Sequence, residues 1–234
     1  MARATGSSAG MADADSDATA VRSHVGLSTS RERSGGILHL PIGESDVALV
    51  AALQAGRHDA AAVLFDRYGR LVARVLGRVM GPDPEILDLI QDVFVAALSS
   101  VRRLEEPDAL RQWLTSIAVF VARGKIRSRT RWRFLRLMPF DELPDASSLP
   151  VPVEASEALR CTYRLLEELP ANERIAFALR FIDQMELTDV ARACGVSLAT
   201  VKRRLVRAQK KFSHMARRHP VLAEWVQEGG RWAR

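Results

Sequence analysis

The sequence predicts an all-α protein made of two small helical domains joined by a flexible linker. Along most of the chain, apolar residues recur at the three- and four-residue spacing of amphipathic helices, and no segment is predicted as a strand. A proline-rich, mildly acidic stretch, 138–154, separates two groups of helical patterns. Near the C-terminus two such patterns meet at Gly195, which indicates a tight turn between short helices.

Composition and charge limit the class of protein. With 47% hydrophobic and 26% charged residues, a chain of 234 residues can bury the cores of one or two domains. The formal charge of +6 favours an acidic partner, either nucleic acid or an anionic membrane surface. Two cysteines, Cys161 and Cys194, are too few for a disulfide framework, and no Cys/His cluster suggests zinc. We therefore expect no metal and no cofactor.

Targeting signals are equally sparse. No apolar run approaches the roughly 20 residues of a membrane span. The N-terminus lacks the apolar middle region of a secretory signal. Residues 1–43 are rich in Ala, Ser, Gly, Asp and Arg without sustained periodicity, so we expect them to form a disordered extension. The expected location is cytoplasmic, without membrane insertion.

The first two helices are predicted from a cap, a breaker and a broad apolar stripe. Ser45 caps a helix over 46–55, and Gly56 ends it. A longer helix over 58–79 follows. Its predicted buried stripe is made of Leu64, Phe65, Tyr68, Leu71, Val72, Val75, Leu76 and Val79.

The third helix is predicted over 84–101. Asp83 caps it, and Pro84 occupies the first helical position, where a missing N–H has no cost. The predicted buried residues are Ile86, Ile90, Val93, Phe94, Ala97 and Val101. The predicted outer face carries three polar side chains: Asp88, Gln91 and Asp92.

The fourth helix, 109–134, starts apolar and ends in arginines, and no Asp or Glu occurs from 109 to 140. Cations follow DNA phosphates, and aromatic faces stack on exposed bases at roughly 1–3 kcal/mol each. The alternatives are a solvated tail or contact with anionic lipid, and cations also suit a helix C-terminus electrostatically. The candidate DNA-binding residues are Arg123, Lys125, Arg127, Arg129, Arg131 and Trp132.

A flexible acidic linker is predicted over 137–155, where four prolines alternate with carboxylates. Helix resumes over 156–169. Pro170 separates it from a helix over 172–182, whose apolar face is Ile175, Ala176, Leu179 and Ile182.

A helix-turn-helix is predicted over 187–212. Its first helix buries Leu187, Val190, Ala191 and Cys194. Gly195 permits the sharp turn, since glycine enters the left-handed region at no steric cost, and Ser197 caps the second helix. The second helix is predicted to bury one apolar face, made of Val196, Val201, Leu205, Ala208 and Phe212. Alanine, glycine and valine at this spacing are typical of a DNA-binding helix-turn-helix.

All the charges on the outward face of the second helix are positive, because no acidic residue lies between Asp189 and Glu224. A solvated face usually mixes signs, since like charges at i,i+4 destabilise a helix by tenths of a kcal/mol. A face of one sign therefore indicates a polyanionic partner, although an ordinary helical hairpin with a solvated basic face is the alternative. The candidate DNA-binding residues are Ser197, Ala199, Thr200, Lys202, Arg203, Arg204 and Arg207.

Catalytic motifs are missing from the sequence. We find no Gly-rich phosphate loop, no HExxH, no nucleophile elbow and no carboxylate cluster placed against a base. The sequence is therefore interpreted as that of a protein without enzymatic activity.

Both helical groups carry motifs of one family. Residues 88–94 read Asp-Leu-Ile-Gln-Asp-Val-Phe, where the family has an acidic-Leu-x-Gln-acidic-x-Phe signature. Leu169-Pro170, Arg174 and Gly195-Val196-Ser197, leading into Thr200-Val201-Lys202, follow the family's C-terminal pattern. Over residues 44–218, the chain resembles the extracytoplasmic-function (ECF) sigma factors, which give core RNA polymerase its promoter specificity.

The resemblance implies a division of labour. Residues 44–136 would form a region 2-like domain that binds core RNA polymerase through Asp88, Gln91 and Asp92 and reads the downstream promoter element with its fourth helix. Residues 156–218 would form a region 4-like domain that reads the upstream element of promoter DNA. An anti-sigma factor is a further expected partner. The tail, 219–234, has no predicted role.

Two other functions stay open at this point. One is a free-standing helix-turn-helix regulator that binds DNA as a homodimer. The other is an interaction protein that places the arginine run on a membrane. The sequence also departs from the family, which has an ARNLALD-like run in the fourth helix. Here Phe120 and Gly124 replace the Asn and the Asp, and Gly124 weakens the helix by about 1 kcal/mol relative to alanine.

Overall fold

Within residues 45–135 and 153–227, the parts of the chain that the computed structural model describes, every regular element is a helix. The predicted all-α fold is confirmed. The predicted N-terminal extension, 1–43, most of the predicted linker, 137–155, and the end of the predicted tail lie outside the described residues.

The first module consists of four helices and two short 3₁₀ turns. The helices are α1 (Asp46–Gln54), α2 (His58–Met80), α3 (Ile86–Ser100) and α4 (Leu110–Leu135), and the turns are Val101–Arg103 and Pro107–Ala109. The Ser45 hydroxyl accepts a hydrogen bond from the Ala48 N–H at 3.2 Å, which fixes the start of α1. Gly56 has a φ of +75°, so the chain turns there as predicted.

Helix α2 is the centre of the first module, because α1, α3 and α4 all pack against it. Most of its predicted stripe is buried. Phe65 is an exception, since 52% of its surface is exposed and its ring lies 5.0 Å from that of Phe94 on α3. The prediction that Phe65 is buried was therefore wrong: the apolar stripe of α2 is wider than the core, and Phe65 lies at its edge.

Helix α3 begins at Ile86, two residues later than predicted, so Pro84 does not occupy its first position. The Asp83 carboxylate instead accepts from the Glu85 N–H at 3.0 Å and binds Arg129 of α4. The Asp83 carboxylate thus binds the turn before α3 and a distant helix at the same time. The buried face of α3 also includes Leu89, whereas Ile86 and Ile90 are only partly buried.

The second module consists of five helices, of which the second continues as a π-helical turn over Ala178–Ile182. They are α5 (Val153–Glu167), α6 (Ala171–Phe177), α7 (Leu187–Cys194), α8 (Leu198–Ala216) and α9 (Pro220–Gln227). Helix α9 lies in the tail for which the sequence predicted no role. It packs against α5 and α8, and Leu222 is buried there.

The two modules pack against each other within the described residues. Helix α4 contacts α6 and α7, and α2 contacts the π-helical turn. One apolar core runs through both modules, from Leu64 of α2 to Val201 of α8. The domain bounds remain a prediction.

Candidate nucleic-acid interface

The turn of the helix-turn-helix is built around Gly195, which has φ +63° and ψ +42°. Its N–H donates to the Arg192 carbonyl at 3.1 Å, and the Val196 N–H donates to the Ala191 carbonyl at 3.0 Å. These two bonds satisfy the end of α7 in the manner of a Schellman motif. The Ser197 hydroxyl then accepts from the Thr200 N–H at 3.3 Å and starts α8. The angle between the two helices is thereby fixed by local sequence.

Packing determines which face of α8 points outward. Val201, Leu205, Ala208 and Phe212 are buried, as predicted, whereas Val196, just before the helix, is only partly buried. The opposite face therefore presents its charges to solvent. Of the predicted upstream-element residues, Ser197, Ala199, Lys202, Arg203 and Arg207 are exposed, and Thr200 and Arg204 are half-buried.

Within the described residues, no ion pair involves the three exposed cations Lys202, Arg203 and Arg207. The first carboxylate near α8 is Glu173 of α6, which lies 3.6 Å from Lys211 at the far end of the helix. Near the start of α8, Arg203 donates instead to the Thr200 hydroxyl at 3.4 Å. The first half of α8 thus combines hydroxyl groups with unneutralised positive charge, a combination suited to DNA phosphates and base edges.

The cationic end of α4 is different. Lys125 Nζ lies 2.5 Å from Glu85 Oε1, and Arg129 Nη1 lies 2.5 Å from Asp83 Oδ2. Arg129 also binds Glu85 through its second terminal nitrogen. The hydrogen bond to Asp83 raises the pKa of Arg129, and the hydrogen bond from Lys125 lowers the pKa of Glu85. Two of the predicted downstream-element cations therefore connect α4 to the start of α3.

Arg123 is also engaged inside the protein, because its Nη2 donates to the Cys194 carbonyl of α7 at 3.2 Å. The other predicted downstream-element residues, Arg127, Arg131 and Trp132, are exposed. Phe120 lies on the same side of α4, with 69% of its surface exposed, and Gly124 leaves open space one turn further on. The structure thus divides the predicted set of six in half, and its assignment to DNA stays a prediction.

The outer face of α3 carries the predicted polymerase-binding residues Asp88, Gln91 and Asp92, all exposed. Sequence reasoning missed the apolar side chains that surround them. These exposed neighbours are Leu87, Val95 and Leu98, with Phe65 beside them on α2. The missed signal is that three of the residues left over for the solvent face of α3 are large and apolar. A face of this mixed kind suits a partner that is both basic and apolar.

None of the described helices is long and apolar enough to cross a membrane. Among the described residues, no group of three His, Cys, Asp or Glu side chains is placed to hold a metal ion. The predicted functional residues lie on three helix faces: α8, α4 and the outer side of α3.

Comparison with known proteins finds matches to one family in both modules. Residues 64–132 match sigma-70 region 2, and residues 159–212 match sigma-70 region 4. The ECF RNA polymerase sigma-E factor of Escherichia coli (strain K12) is 28% identical over 180 residues, covering 73% of this chain and 93% of the relative. The chain is an ECF sigma factor of the sigma-70 family. The ECF RNA polymerase sigma-E factor of Haemophilus influenzae is 26% identical over 184 residues, covering 73% of this chain and 94% of the relative.

Among solved structures, this sigma factor is similar to CnrH in complex with the cytosolic domain of CnrY. The TM-score is 0.50 at 26% identity, and the match covers 73% of this chain and 96% of CnrH. As a sigma factor, the chain binds core RNA polymerase and directs promoter-specific initiation of transcription. Sigma factors are non-enzymatic initiation factors. A homodimeric regulator with a helix-turn-helix alone is not favoured, because such a protein would not need the region 2 module.

Proposed function

We propose that the three exposed faces divide the work of promoter recognition. Helix α8 reads the upstream element, the outer side of α4 meets the downstream element, and the outer face of α3 binds core polymerase. The observation that carries this proposal lies on α8. Its buried apolar face turns Lys202, Arg203 and Arg207 outward, and none of the three forms an ion pair among the described residues. The site of action is the cytoplasm.

Helix α8 suits the major groove of DNA. Its first turn offers the hydroxyls of Ser197 and Thr200 for phosphates, and Arg203 lies exposed one turn further on. An arginine that pairs in bidentate fashion with a guanine edge gives about 1–3 kcal/mol of discrimination against the wrong base. The remaining cations neutralise phosphates, so the affinity should fall with salt.

The exposed surface of helix α4 carries both aromatic and cationic groups. Arg127 and Arg131 are exposed, and Trp132 lies at their end. Phe120, which stands where the family has asparagine, offers a flat apolar face in open space. We assign it to stacking on an unpaired base, an interaction that does not require the hydrogen bonds of the missing amide. Arg123, Lys125 and Arg129 reach DNA only if they exchange their protein partners.

The outer face of α3 combines Asp88 and Asp92 with exposed Leu87 and Val95. The carboxylates give charge complementarity to a basic surface of core polymerase, and the apolar side chains provide area to bury. By analogy with CnrH, whose structure contains the cytosolic domain of CnrY, we also assign this chain an anti-sigma partner.

Gel filtration of the full chain with purified core polymerase tests the proposal. We expect a one-to-one complex, and we expect Asp88→Lys to abolish co-elution. Glu106→Lys is the matched control, because Glu106 is exposed in the same module but lies away from the α3 face. A chain that binds DNA as a dimer and ignores core polymerase would contradict the proposal.

A further inference from the structure

Val206 is an apolar side chain on the charged face of α8. Of its surface, 65% is exposed, the largest fraction for any large apolar residue in the described part of the second module. Its neighbours on this face are exposed cations: Lys202, Arg203, Arg207 and Lys210. Valine is also a poorer helix former than lysine or arginine, because its branched side chain loses rotamer freedom. Neither packing nor helix formation within the described residues therefore accounts for an apolar residue at this position.

The geometry of the helix places Val206 beside Arg203. With 3.6 residues per turn, Val206 lies about 60° around the helix from Arg203 and about 4.5 Å further along its axis. The buried residues Val201, Leu205 and Ala208 lie about 100° or more from both of them. The two side chains therefore face the same partner.

The Arg203 guanidinium is drawn towards the start of α8. Its Nη2 donates to the Thr200 hydroxyl at 3.4 Å, and that hydroxyl lies 3.0 Å from the Ser197 hydroxyl. Along the outward face, two hydroxyls are thus followed by the guanidinium and then by the methyl groups of Val206. In a helix-turn-helix, the N-terminal part of the second helix lies against the base edges in the major groove. Val206 lies at the end of that part, where no cation covers it.

The chemistry of the major groove limits what valine can recognise there. Base edges in this groove present hydrogen-bond donors and acceptors and one apolar substituent, the C5-methyl group of thymine. Valine has no side-chain donor or acceptor. Against any other base edge it would remove water from a polar group without replacing the lost hydrogen bond. An apolar side chain in the groove therefore favours thymine.

We propose that Val206 is a specificity-determining residue that recognises the C5-methyl group of a thymine in the upstream element. This thymine lies one or two base pairs from the base pair that Arg203 contacts, because the two residues are about 4.5 Å apart along the helix and base pairs are about 3.4 Å apart. The inference rests on the proposed function, since it requires α8 to lie in the major groove.

Deoxyuridine tests the contact, because it replaces the thymine methyl group by hydrogen and keeps every hydrogen-bonding group of the base. The protein is the holoenzyme formed by the full chain and core polymerase, and the DNA is a promoter duplex obtained by run-off transcription. Each thymine of the upstream element is replaced in turn. We expect one replacement to weaken binding about fourfold, the effect of one buried methyl group.

Val206→Ala should weaken binding to the unmodified duplex by a similar factor, and the same deoxyuridine should then have no further effect, because the contact is already lost. Leu159→Ala is the matched control. Leu159 is another exposed apolar residue of the second module, on α5, and its variant should keep the full effect of deoxyuridine.

Three results would overturn the inference. One is that no thymine of the upstream element is sensitive to the replacement, and another is that Val206→Ala keeps the full fourfold loss. The third is weaker binding of Val206→Ala to core polymerase without DNA, which would assign this side chain to a protein contact.

Arg203→Ala separates this inference from the proposed function. Its loss of selectivity in a base-substitution series identifies the base pair that Arg203 contacts. If that loss is found while Val206→Ala still responds to deoxyuridine, helix α8 reads the upstream element and only the role of Val206 is wrong. If the holoenzyme does not distinguish promoter duplexes at all, both proposals are wrong.

Discussion

The cationic end of α4 and the cationic face of α8 have the same signature in sequence, a long run without carboxylates, yet the structure uses them differently. On α4, Lys125 and Arg129 bind Asp83 and Glu85. On α8, Lys202, Arg203 and Arg207 lie exposed with no carboxylate partner among the described residues. A run of cations without carboxylates therefore shows only that no carboxylate partner is near in the sequence. It does not show that no partner is near in space.

The difference follows from what each helix packs against. Helix α4 lies beside the start of α3, where two carboxylates precede the first helical turn. Helix α8 packs against α6, whose buried carboxylate, Glu173, reaches only Lys211. The first cationic group is thus partly structural, and the second is available to a ligand.

The largest effect is expected for Leu205→Ala, which empties a core position on the buried face of α8. The free energy of unfolding should fall by roughly 2–5 kcal/mol, as for other large-to-small core substitutions. Urea denaturation measures it. The neighbouring Val206 is exposed, so Val206→Ala should change stability by no more than about 0.5 kcal/mol. Equal effects would mean that α8 is rotated relative to our description and that its cations do not all face outward.

Arg129→Ala tests the structural role of the α4 cations. The Asp83 side chain is only 2% exposed, so removal of its guanidinium partner leaves a buried carboxylate poorly satisfied. The expected loss is about 1–3 kcal/mol in the free energy of unfolding, measured by urea denaturation. Arg127→Ala removes the same charge from an exposed position and should leave stability within about 0.5 kcal/mol while reducing the salt slope of DNA binding by about 1. If both variants lose the same amount of stability, Arg129 has no structural role beyond that of an exposed arginine such as Arg127.

Arg203→Ala tests the α8 side. We expect recognition of the upstream element to weaken and to relax by about 1–3 kcal/mol, measured as the affinity difference between matched and substituted promoter duplexes. Binding of core polymerase and the melting temperature should not change. Lys211→Ala, at the far end of α8 and near Glu173, should affect affinity less and discrimination not at all. Loss of polymerase binding in Arg203→Ala would show that the division of labour is wrong.

The last prediction concerns the hydrogen bond between Asp46 of α1 and Tyr68 of α2, whose effect on stability changes only at alkaline pH. Tyr68 donates to Asp46 Oδ2 at 2.5 Å, and burial together with this bond raises the pKa of Tyr68 to about 12. Because the folded pKa is above the usual 10.0, the stabilisation is fully present below pH 10 and is lost as the pH rises towards 12.

Ultraviolet titration of tyrosinate absorbance measures this pKa. The sequence contains two tyrosines, and burial raises the pKa of Tyr163 as well, so Tyr163→Phe isolates Tyr68. Asp46→Asn should return the pKa of Tyr68 towards 10.0. Ionisation near 10 in the Tyr163→Phe protein would contradict the described contact.

Local sequence was sufficient where a local interaction decides the structure. Ser45 and Gly56 bracket α1, and Gly195 and Ser197 set the turn before α8, because each acts within a few residues of itself. The apolar spacing also identified the buried face of α8, since one helix face must enter the core. Because that face is buried, the cations on the opposite side of α8 are exposed.

Other features could not be predicted because their partners are remote. Asp83, just before α3, binds Arg129, 46 residues away, and Arg174 binds a carbonyl 94 residues away. The exposure of Phe65 depends on how far α3 covers α2. In each case the sequence pattern identifies the charged or apolar residue, but the residue that it contacts is known only once the helices are packed together.

Run-off transcription with purified core RNA polymerase tests the central claim most directly. On a library of genomic fragments, the full chain should direct core enzyme to discrete start sites that core enzyme alone does not use, and the Arg203→Ala variant should lose selectivity among them. The same transcripts with and without the chain, from a protein shown to be folded, would contradict the account.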